Sequence, residues 1–380
     1  MGHNVGIFRI ELFAASEIFI TEQANALPTF RPILIGRNLL GAPIDASVNL
    51  QVSDTLKVRQ RGFTLFPNLA WFNGAQQKVI KSCHLFHAHF GPDATYALPL
   101  AKQLKKPLLA TFHGYDVLIN RDELYATGGV RLAYFRRQEI EMVKYCSRLI
   151  AVSDYAEKAM LRLGYPQEKI VRHYIGVDLS KFSSMQNDTE VAPYILSVAR
   201  HVPYKAIDII LRAFAKLTRK FPSLKLKQVG SGPISDELKA LAVDLGIADK
   251  VDFLGSRSHD DVRVLMRQAV AFCGVPRTTE TGASEALGVV FCEAAASGIP
   301  TIATRSGGVP EVVKHGETGF LVSENDIDAT ANALDALLSD PFLCRQMGNA
   351  ARDWMGTQFD IRKQSASLER IYEQVLDEWH

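Results

Sequence analysis

The chain has 380 residues, 47% of them hydrophobic and 22% charged, with a formal net charge of +2. That length and composition exclude a disordered chain and leave room for more than one buried core, so two domains are expected. The opening MGHNVGIFRIELF has no basic stretch followed by a long apolar run, and no segment approaches about 18 uninterrupted apolar residues, so neither a signal peptide nor a spanning helix is expected.

Five cysteines, Cys83, Cys146, Cys273, Cys292 and Cys344, are scattered and odd in number, with no CxxC spacing. They read as core thiols in a reducing, cytoplasmic compartment and not as disulfides or a zinc site. Charge is unevenly shared. Residues 1–185 hold 22 Lys and Arg against 15 Asp and Glu, a net of +7, and residues 186–380 hold 21 against 26, a net of −5. A basic half can face an anionic membrane surface or a phosphorylated substrate. Nucleic acid is not expected, because no interleaving of aromatic and basic residues is present to stack bases.

Short apolar runs rich in β-branched residues alternate with amphipathic stretches, the pattern of parallel strands joined by crossover helices. In chain order, strands are predicted at 4–8, 31–35, 85–89, 107–112, 148–152 and 170–174, with helices near 16–26, 94–103, 131–145 and 155–163. The polar stretch 183–190, SSMQNDTE, has turn formers and no periodicity and reads as a linker. Beyond it, strands are predicted at 194–198, 224–229, 251–254, 271–275 and 299–304, with helices at 206–221, 235–245, 259–267, 289–297 and 329–338. Residues 361–379 have helical spacing through Leu368, Ile371, Tyr372 and Val375.

Chemistry concentrates in SEALGVVFCEAAASGIPTIATRSGGVPEVV, residues 284–313, followed by HGETGFLV. Glu285 and Glu293 are separated by seven residues, the first ahead of a helix at the loop end of a strand, the second inside that helix. Unpaired N–H groups at such a helix start attract phosphate, and a neighbouring carboxylate can accept hydrogen bonds from sugar hydroxyls. Taken alone, the two glutamates also fit ordinary capping and surface charge. Arg200 follows the strand 194–198 and Lys205 opens the next helix, where cations can neutralise a diphosphate leaving group or simply face water. His113 ends the strand 107–112 in ATFHGYD, able to donate to a phosphate or hydroxyl through either ring nitrogen, or else to sit satisfied and half-buried. His87 and His89 share one strand face, a spacing that suggests metal but offers no third ligand. Ser16 and Glu17 fit either a ligand-facing loop or a helix N-cap with an acidic first turn. Gly230 lies in VGSGP, a strand-to-helix turn that can border a nucleotide.

Together these segments resemble glycosyltransferase family 4: the Glu, seven residues, Glu pattern, the EAAASGIPTIATRSGGVPEVVKHGETGFLV stretch, the Arg200 and Lys205 pair and the THGxD-like loop around His113. The RIELFAASEIFI segment, residues 9–20, is similar to the SExFI loop of exopolysaccharide and surface-glycan transferases. One departure is Ala206, where the family usually has Gly after the Lys. The resemblance implies a GT-B fold: residues 1–185 as an acceptor-binding Rossmann-like domain, 186–360 as a nucleotide-sugar-binding one, and the helix 361–380 packing back on the first. It implies that Glu285 contacts the transferred sugar, Glu293 holds the ribose, and the amides of Leu287, Gly288, Val289 and Val290 face the diphosphate. Arg200 and Lys205 would stabilise the leaving group, His113 would face the donor sugar, and the HxHFG segment with His87 and His89 would line the acceptor cleft.

The implied activity is retaining transfer of a hexosyl group from a nucleotide-diphosphate sugar, a UDP-sugar before GDP-mannose, to a glycan or polyprenyl-diphosphate-linked acceptor. A sugar-nucleotide epimerase, a phosphorylase or a non-catalytic nucleotide-sugar-binding subunit remain alternatives. No Asp-x-Asp pair is read in the chain to bridge a metal and a diphosphate, so no cofactor and no metal is expected. Lys57, Arg59, Arg61, Lys102, Lys105, Lys106, Arg136 and Arg137 are candidate contacts to an anionic inner membrane face.

Overall fold

The computed structural model describes residues 2–41, 49–52, 69, 72–126, 129–182 and 193–379. The linker at 183–190 and the cations Lys57, Arg59 and Arg61 lie outside the described residues. The chain divides into two units, Met1–Gly176 with Ile361–His380, and Val177–Asp360.

Unit 1 is built on β1 (Asn4–Phe8), β3 (Arg31–Gly36), β5 (Asn49–Val52), β6 (Leu85–His89), β7 (Leu108–Phe112), β8 (Arg148–Ala151) and β9 (Ile170–Arg172), with a two-stranded ribbon of β2 (Glu11–Leu12) and β4 (Asn38–Leu39) beside it. The main sheet is parallel throughout, in the order β5-β3-β1-β6-β7-β8-β9. Every residue of β6 and of β7 is buried, as parallel strands covered by helices on both faces require. Unit 2 carries β10 (Tyr194–Val198), β11 (Lys225–Val229), β12 (Val251–Gly255), β13 (Ala271–Gly274), β14 (Thr301–Thr304) and β15 (Gly319–Val322), also parallel, in the order β12-β11-β10-β13-β14-β15.

Both sheets change winding direction once, between β1 and β6 and between β10 and β13. The loops leaving those neighbouring strands diverge, and ligands of open α/β sheets bind in the crevice so formed at the carboxyl ends. This doubly wound pair is the Rossmann-like architecture of the GT-B fold.

The helix Ile361–Glu378 belongs to unit 1, where Leu368, Ile371, Tyr372 and Val375 share a core with Val5, Ile7, Leu34, Leu85 and Leu109. Its Glu369 carboxylate accepts the N–H of Thr29 at 2.7 Å and of Phe30 at 2.6 Å, and the Thr29 hydroxyl at 3.0 Å. Unit 2 packs Ile207, Ile210, Leu211 and Phe214 of the helix Ile207–Leu217 against Ile195, Leu226 and Ile302 of its sheet.

Several elements were not expected from the sequence. The helix Pro341–Gln358 starts at Asp340, whose carboxylate accepts from the N–H of Phe342 and Leu343, with proline in its first turn. The helix Gly74–Lys81 has a capping box between Asn73 and Gln76. Strands β5 and β15 are four residues each, too short for a two-residue alternation to stand out.

Candidate active site

In unit 2 the site is assembled from loops at the carboxyl ends of β10, β11, β13 and β14. Ala199 N–H donates to Val229 O at the end of β11, and His201 N–H to Ser231 O in the loop that follows, both at 3.0 Å. That approach is possible because residue 230 is glycine: a Cβ there would stand 1.9 Å from the Ala199 carbonyl oxygen. Gly230 therefore fixes the loop bearing Arg200 by backbone packing. The Arg200 side chain is exposed and has no hydrogen-bond or ion-pair partner among the described residues, and its charge reaches Lys205.

Lys205 closes the turn Pro203–Lys205 and forms an ion pair with Glu285, each side chain 15% exposed. Burial presses the ammonium toward its neutral form, but the Glu285 carboxylate outweighs it and the pKa stays above the ordinary lysine value. Ala206 accommodates the left-handed backbone that glycine usually supplies, at φ 50° and ψ 41°, and the helix starts directly after it. The left-handed strain of about 1–2 kcal/mol is partly offset by its methyl, buried in the unit 2 core at about 0.8 kcal/mol. Arg277, which carried no signal in the sequence, braces this turn. Its N–H donates to Tyr204 O at 2.8 Å, its Nε to Pro203 O at 3.0 Å and its Nη2 to Asp208 Oδ1 at 2.9 Å.

Glu285 is held by its own backbone: its carbonyl accepts the Gly308 N–H at 2.9 Å, and a Cβ on Gly307 would stand 1.9 Å from it. Leu287 is buried, Gly288 caps the helix Val289–Ala296 in a left-handed conformation, and the amides of Val289 and Val290 lie in the first turn, where a helix offers no internal acceptor. One turn further on, Glu293 Oε1 lies 3.7 Å from Nδ1 of His259, the first residue of the helix His259–Gln268. His259 was not singled out in the sequence; only the Ser258 cap ahead of it marks the place. The chain does contain an Asp-x-Asp, Asp326-Ile327-Asp328, but Asp326 caps the helix Ile327–Ser339 and Asp328 pairs with Lys216. Among the described residues no group of three His, Cys, Asp or Glu could hold a metal ion.

In unit 1 the polar groups sit at the carboxyl ends of β1, β6 and β7. His113 follows β7, and its Nε2 lies 3.0 Å from Nδ1 of His89. Phe90 and Phe19 flank the ring at 4.5 and 5.2 Å, and its Nδ1 is buried with no hydrogen-bond partner. Burial holds the His113 and His89 pKa values well below the ordinary histidine value, with Arg9 and His87 adding to the effect. Asp116 accepts the N–H of Gly91 at 2.9 Å and of Gly114 at 3.0 Å, and burial pushes its carboxyl up to about 6.

Two expectations change here. His87 is interior: its Nδ1 meets the Tyr372 hydroxyl at 2.7 Å and its Nε2 the Thr111 hydroxyl at 2.6 Å, so it lines no open surface. The reading of Ser16 and Glu17 as a helix cap does not hold. Ser16 lies in a short 3-10 turn, Ala15–Glu17, and caps nothing, and Glu17 accepts from Arg9 Nε at 3.0 Å. Arg9 and Arg131 both donate to the fully buried Asp93, which also accepts the Ile10 N–H at 3.0 Å. None of these three was expected, because only the tertiary fold brings residues 9, 93 and 131 together.

Two doubly wound units, each with polar groups at its switch point, define a GT-B protein. Residues 40–181 match the profile described as Glycosyltransferase Family 4, and residues 181–354 that of Glycosyl transferases group 1. A GDP-mannose-dependent alpha-(1-6)-phosphatidylinositol monomannoside mannosyltransferase of Mycolicibacterium smegmatis is 30% identical over 295 residues, covering 74% of this chain and 75% of that one. The GDP-mannose-dependent monoacylated alpha-(1-6)-phosphatidylinositol monomannoside mannosyltransferase of Corynebacterium glutamicum is 34% identical over 294 residues, covering 73% and 74%. Among solved structures, Anabaena HepE in complex with UDP and glucose has the same fold, with a TM-score of 0.77 at 19% identity over 98% of this chain and 100% of that one. The chain belongs to glycosyltransferase family 4 and is a glycosyltransferase.

Proposed function

We propose that this glycosyltransferase moves a hexosyl group, with retention of anomeric configuration, from a nucleotide-diphosphate sugar to a lipid-linked glycan acceptor, and that the donor is GDP-mannose. The observation that carries the reading is the Lys205–Glu285 pair at the mouth of the unit 2 switch point, with Arg200 unpaired beside it. A donor diphosphate takes up Arg200, Lys205 and the first amides of the helix Val289–Ala296, which frees Glu285 for hydroxyls of the sugar. Glu293 holds the ribose diol, and in unit 1 His113 is assigned to a sugar hydroxyl. In the reaction the C1–O bond to phosphate breaks, the acceptor oxygen bonds C1 from the same face, and its proton passes to the leaving phosphate. Fixed cations and amides stabilise the charge that grows on the phosphate, at low reorganisation cost.

GDP-mannose is favoured over a UDP-sugar because the two mannosyltransferases named above match over about three quarters of the chain. Their phosphatidylinositol-based acceptors support a lipid-linked acceptor here. So does the outer row of the helix Gly129–Tyr145, where Val130 is 65% and Ile140 71% exposed beside the exposed Arg136 and Arg137, an apolar and basic face suited to an anionic bilayer surface. No helix among the described residues is long and apolar enough to cross a membrane.

Thermal shift with GDP-mannose, UDP-glucose and ADP-glucose tests the donor. A ligand at ~100 times its dissociation constant stabilises by about 2.7 kcal/mol, and GDP-mannose is expected to give the largest shift, unchanged by EDTA. A larger shift with UDP-glucose, or one that needs a divalent ion, overturns that part of the reading. An inverted anomer in the product overturns retention.

A further inference from the structure

We propose that His89 is a positioning residue that holds His113 in its Nε2–H tautomer, so that His113 Nδ1 meets the substrate as an acceptor and reads a hydroxyl. The inference rests on the reading that His113 contacts a sugar hydroxyl.

The pair of nitrogens between the two rings, His89 Nδ1 and His113 Nε2, lies 3.0 Å apart and shares one hydrogen. With both rings neutral, only two arrangements satisfy that contact. In the first, each ring keeps its proton on Nε2, the form that neutral imidazole prefers in water, and His113 Nε2–H donates to His89 Nδ1. In the second, both rings adopt the less favoured Nδ1–H form and the bond reverses. The first arrangement costs neither ring its preferred state. It leaves His113 Nδ1 as a bare lone pair, the atom that is buried and lacks a partner. An unsatisfied buried acceptor is costly, and a hydroxyl proton supplied by a ligand would satisfy it, whereas a deprotonated phosphate oxygen would not.

The scaffold around the pair is built to hold it. The His89 ring lies against that of His87, with centroids 4.5 Å apart and planes tilted by 31°, and His87 is fixed from both sides by Tyr372 and Thr111. Phe90, directly after His89, has φ 73° and ψ 140°, a strained conformation for a residue with a side chain. Its N–H donates to Thr111 O at 2.7 Å, its ring lies 4.5 Å from His113, and the Arg9 guanidinium covers that ring at 4.4 Å. The strained link ties the end of β6 to the end of β7, so the His89–His113 contact is set by backbone. Burial and the nearby Arg9 charge keep both rings neutral.

The test begins without ligand. In protein labelled with 15N-histidine, with signals assigned through His113→Gln and His89→Gln, His113 is expected to show a protonated Nε2 and an unprotonated Nδ1; the reverse overturns the proposal. Turnover is then followed with whichever of GDP-mannose or UDP-glucose stabilises the protein. His89→Leu, which cannot accept the bond, is expected to lower kcat/KM roughly tenfold or more, as loss of a partner orienting a functional histidine does elsewhere. His89→Asn, whose amide oxygen can stand near Nδ1, is expected to recover most of that loss. Wild-type turnover in His89→Leu, with His113→Ala impaired, overturns the positioning role. Wild-type turnover in His113→Ala sinks instead the reading that His113 contacts the sugar, while the tautomer remains decided by the NMR signals. Should His89→Leu fail to fold, the 15N signals of the wild-type protein still decide the matter.

Discussion

The two units share a sheet order at their switch points and differ in what they do with charge there. Unit 1 spends its ions internally: Arg9 and Arg131 converge on Asp93, Arg121 pairs with Glu139 at 2.5 Å, and its central histidines are neutral. Unit 2 leaves Arg200 unpaired among the described residues and binds Lys205 to a single carboxylate at the rim of the helix Val289–Ala296. One scaffold therefore holds a neutral histidine cluster in unit 1 and, in unit 2, an exposed Arg200 beside the paired Lys205.

The largest effect that separates the units is expected from Arg200→Ala. If Arg200 acts on the leaving group, transfer falls by about 2.7–4 kcal/mol in activation terms, roughly 10²–10³-fold, while the melting temperature is unchanged, because an unpartnered exposed side chain contributes within about 0.5 kcal/mol to stability. Lys205→Ala is expected to lose as much activity and also some stability, since Glu285 is left half-buried without its partner. Near-normal turnover in Arg200→Ala, measured with the donor that binds, would break the comparison.

Acid is expected to separate the units next. His87 is lowered to about 3 and His173 to about 4, both by burial, against an ordinary 6.5. Such groups stay neutral in the folded protein, so the stability they contribute is present above pH 6.5 and is lost as the pH falls through the window toward 4 and 3. At pH 5, each lies about 1.5 units below 6.5, a combined loss of about 4 kcal/mol at about 1.4 kcal/mol per unit. Asp116 runs the other way, its carboxyl raised to about 6 from 3.8, and returns about 1 kcal/mol at pH 5. Unit 1 should thus lose about 3 kcal/mol between pH 7 and 5, with His89 and His113 adding in the same direction. In unit 2, His201 is lowered by burial too, and a smaller loss is expected from it. Hydrogen exchange at the two pH values reads each unit separately; equal protection changes in both would refute the contrast.

The smallest effect concerns the outer face of unit 1. Replacing Arg136 and Arg137 by Glu is expected to weaken sedimentation with anionic phosphatidylglycerol vesicles at low salt, by about 1 kcal/mol per lost cation, while leaving donor binding intact. Vesicle binding unaltered by the double substitution would remove this face from consideration.

Net charge alone does not tell which cations are available to a ligand. The +7 of residues 1–185 and the −5 of the rest were legible, but pairing decides which cations remain available, and Arg9, Arg121 and Arg131 find carboxylates 8, 18 and 38 residues away in the chain. By contrast, the strand pattern was legible almost to the residue for β1, β6 and β10, since strands buried on both faces are predominantly apolar. Short strands at the edge and the helix Pro341–Gln358 escaped, the first for want of length, the second because its apolar positions form a thin stripe announced mainly by its Asp-Pro start.

For the site, residue type and spacing alone left Glu285, Glu293, Arg200, Lys205 and His113 open to ordinary capping, surface charge or burial; it was the resemblance of the surrounding segments to glycosyltransferase family 4 that singled them out. What the sequence could not supply was who touches whom. Arg277 bracing the Lys205 turn, His259 beside Glu293, and His89 against His113 are contacts between segments 24 to 74 residues apart. Local propensity determines strands, helices and their ends; the partners of a polar atom are settled by how those elements pack, and hydrogen-bond geometry is fixed only there.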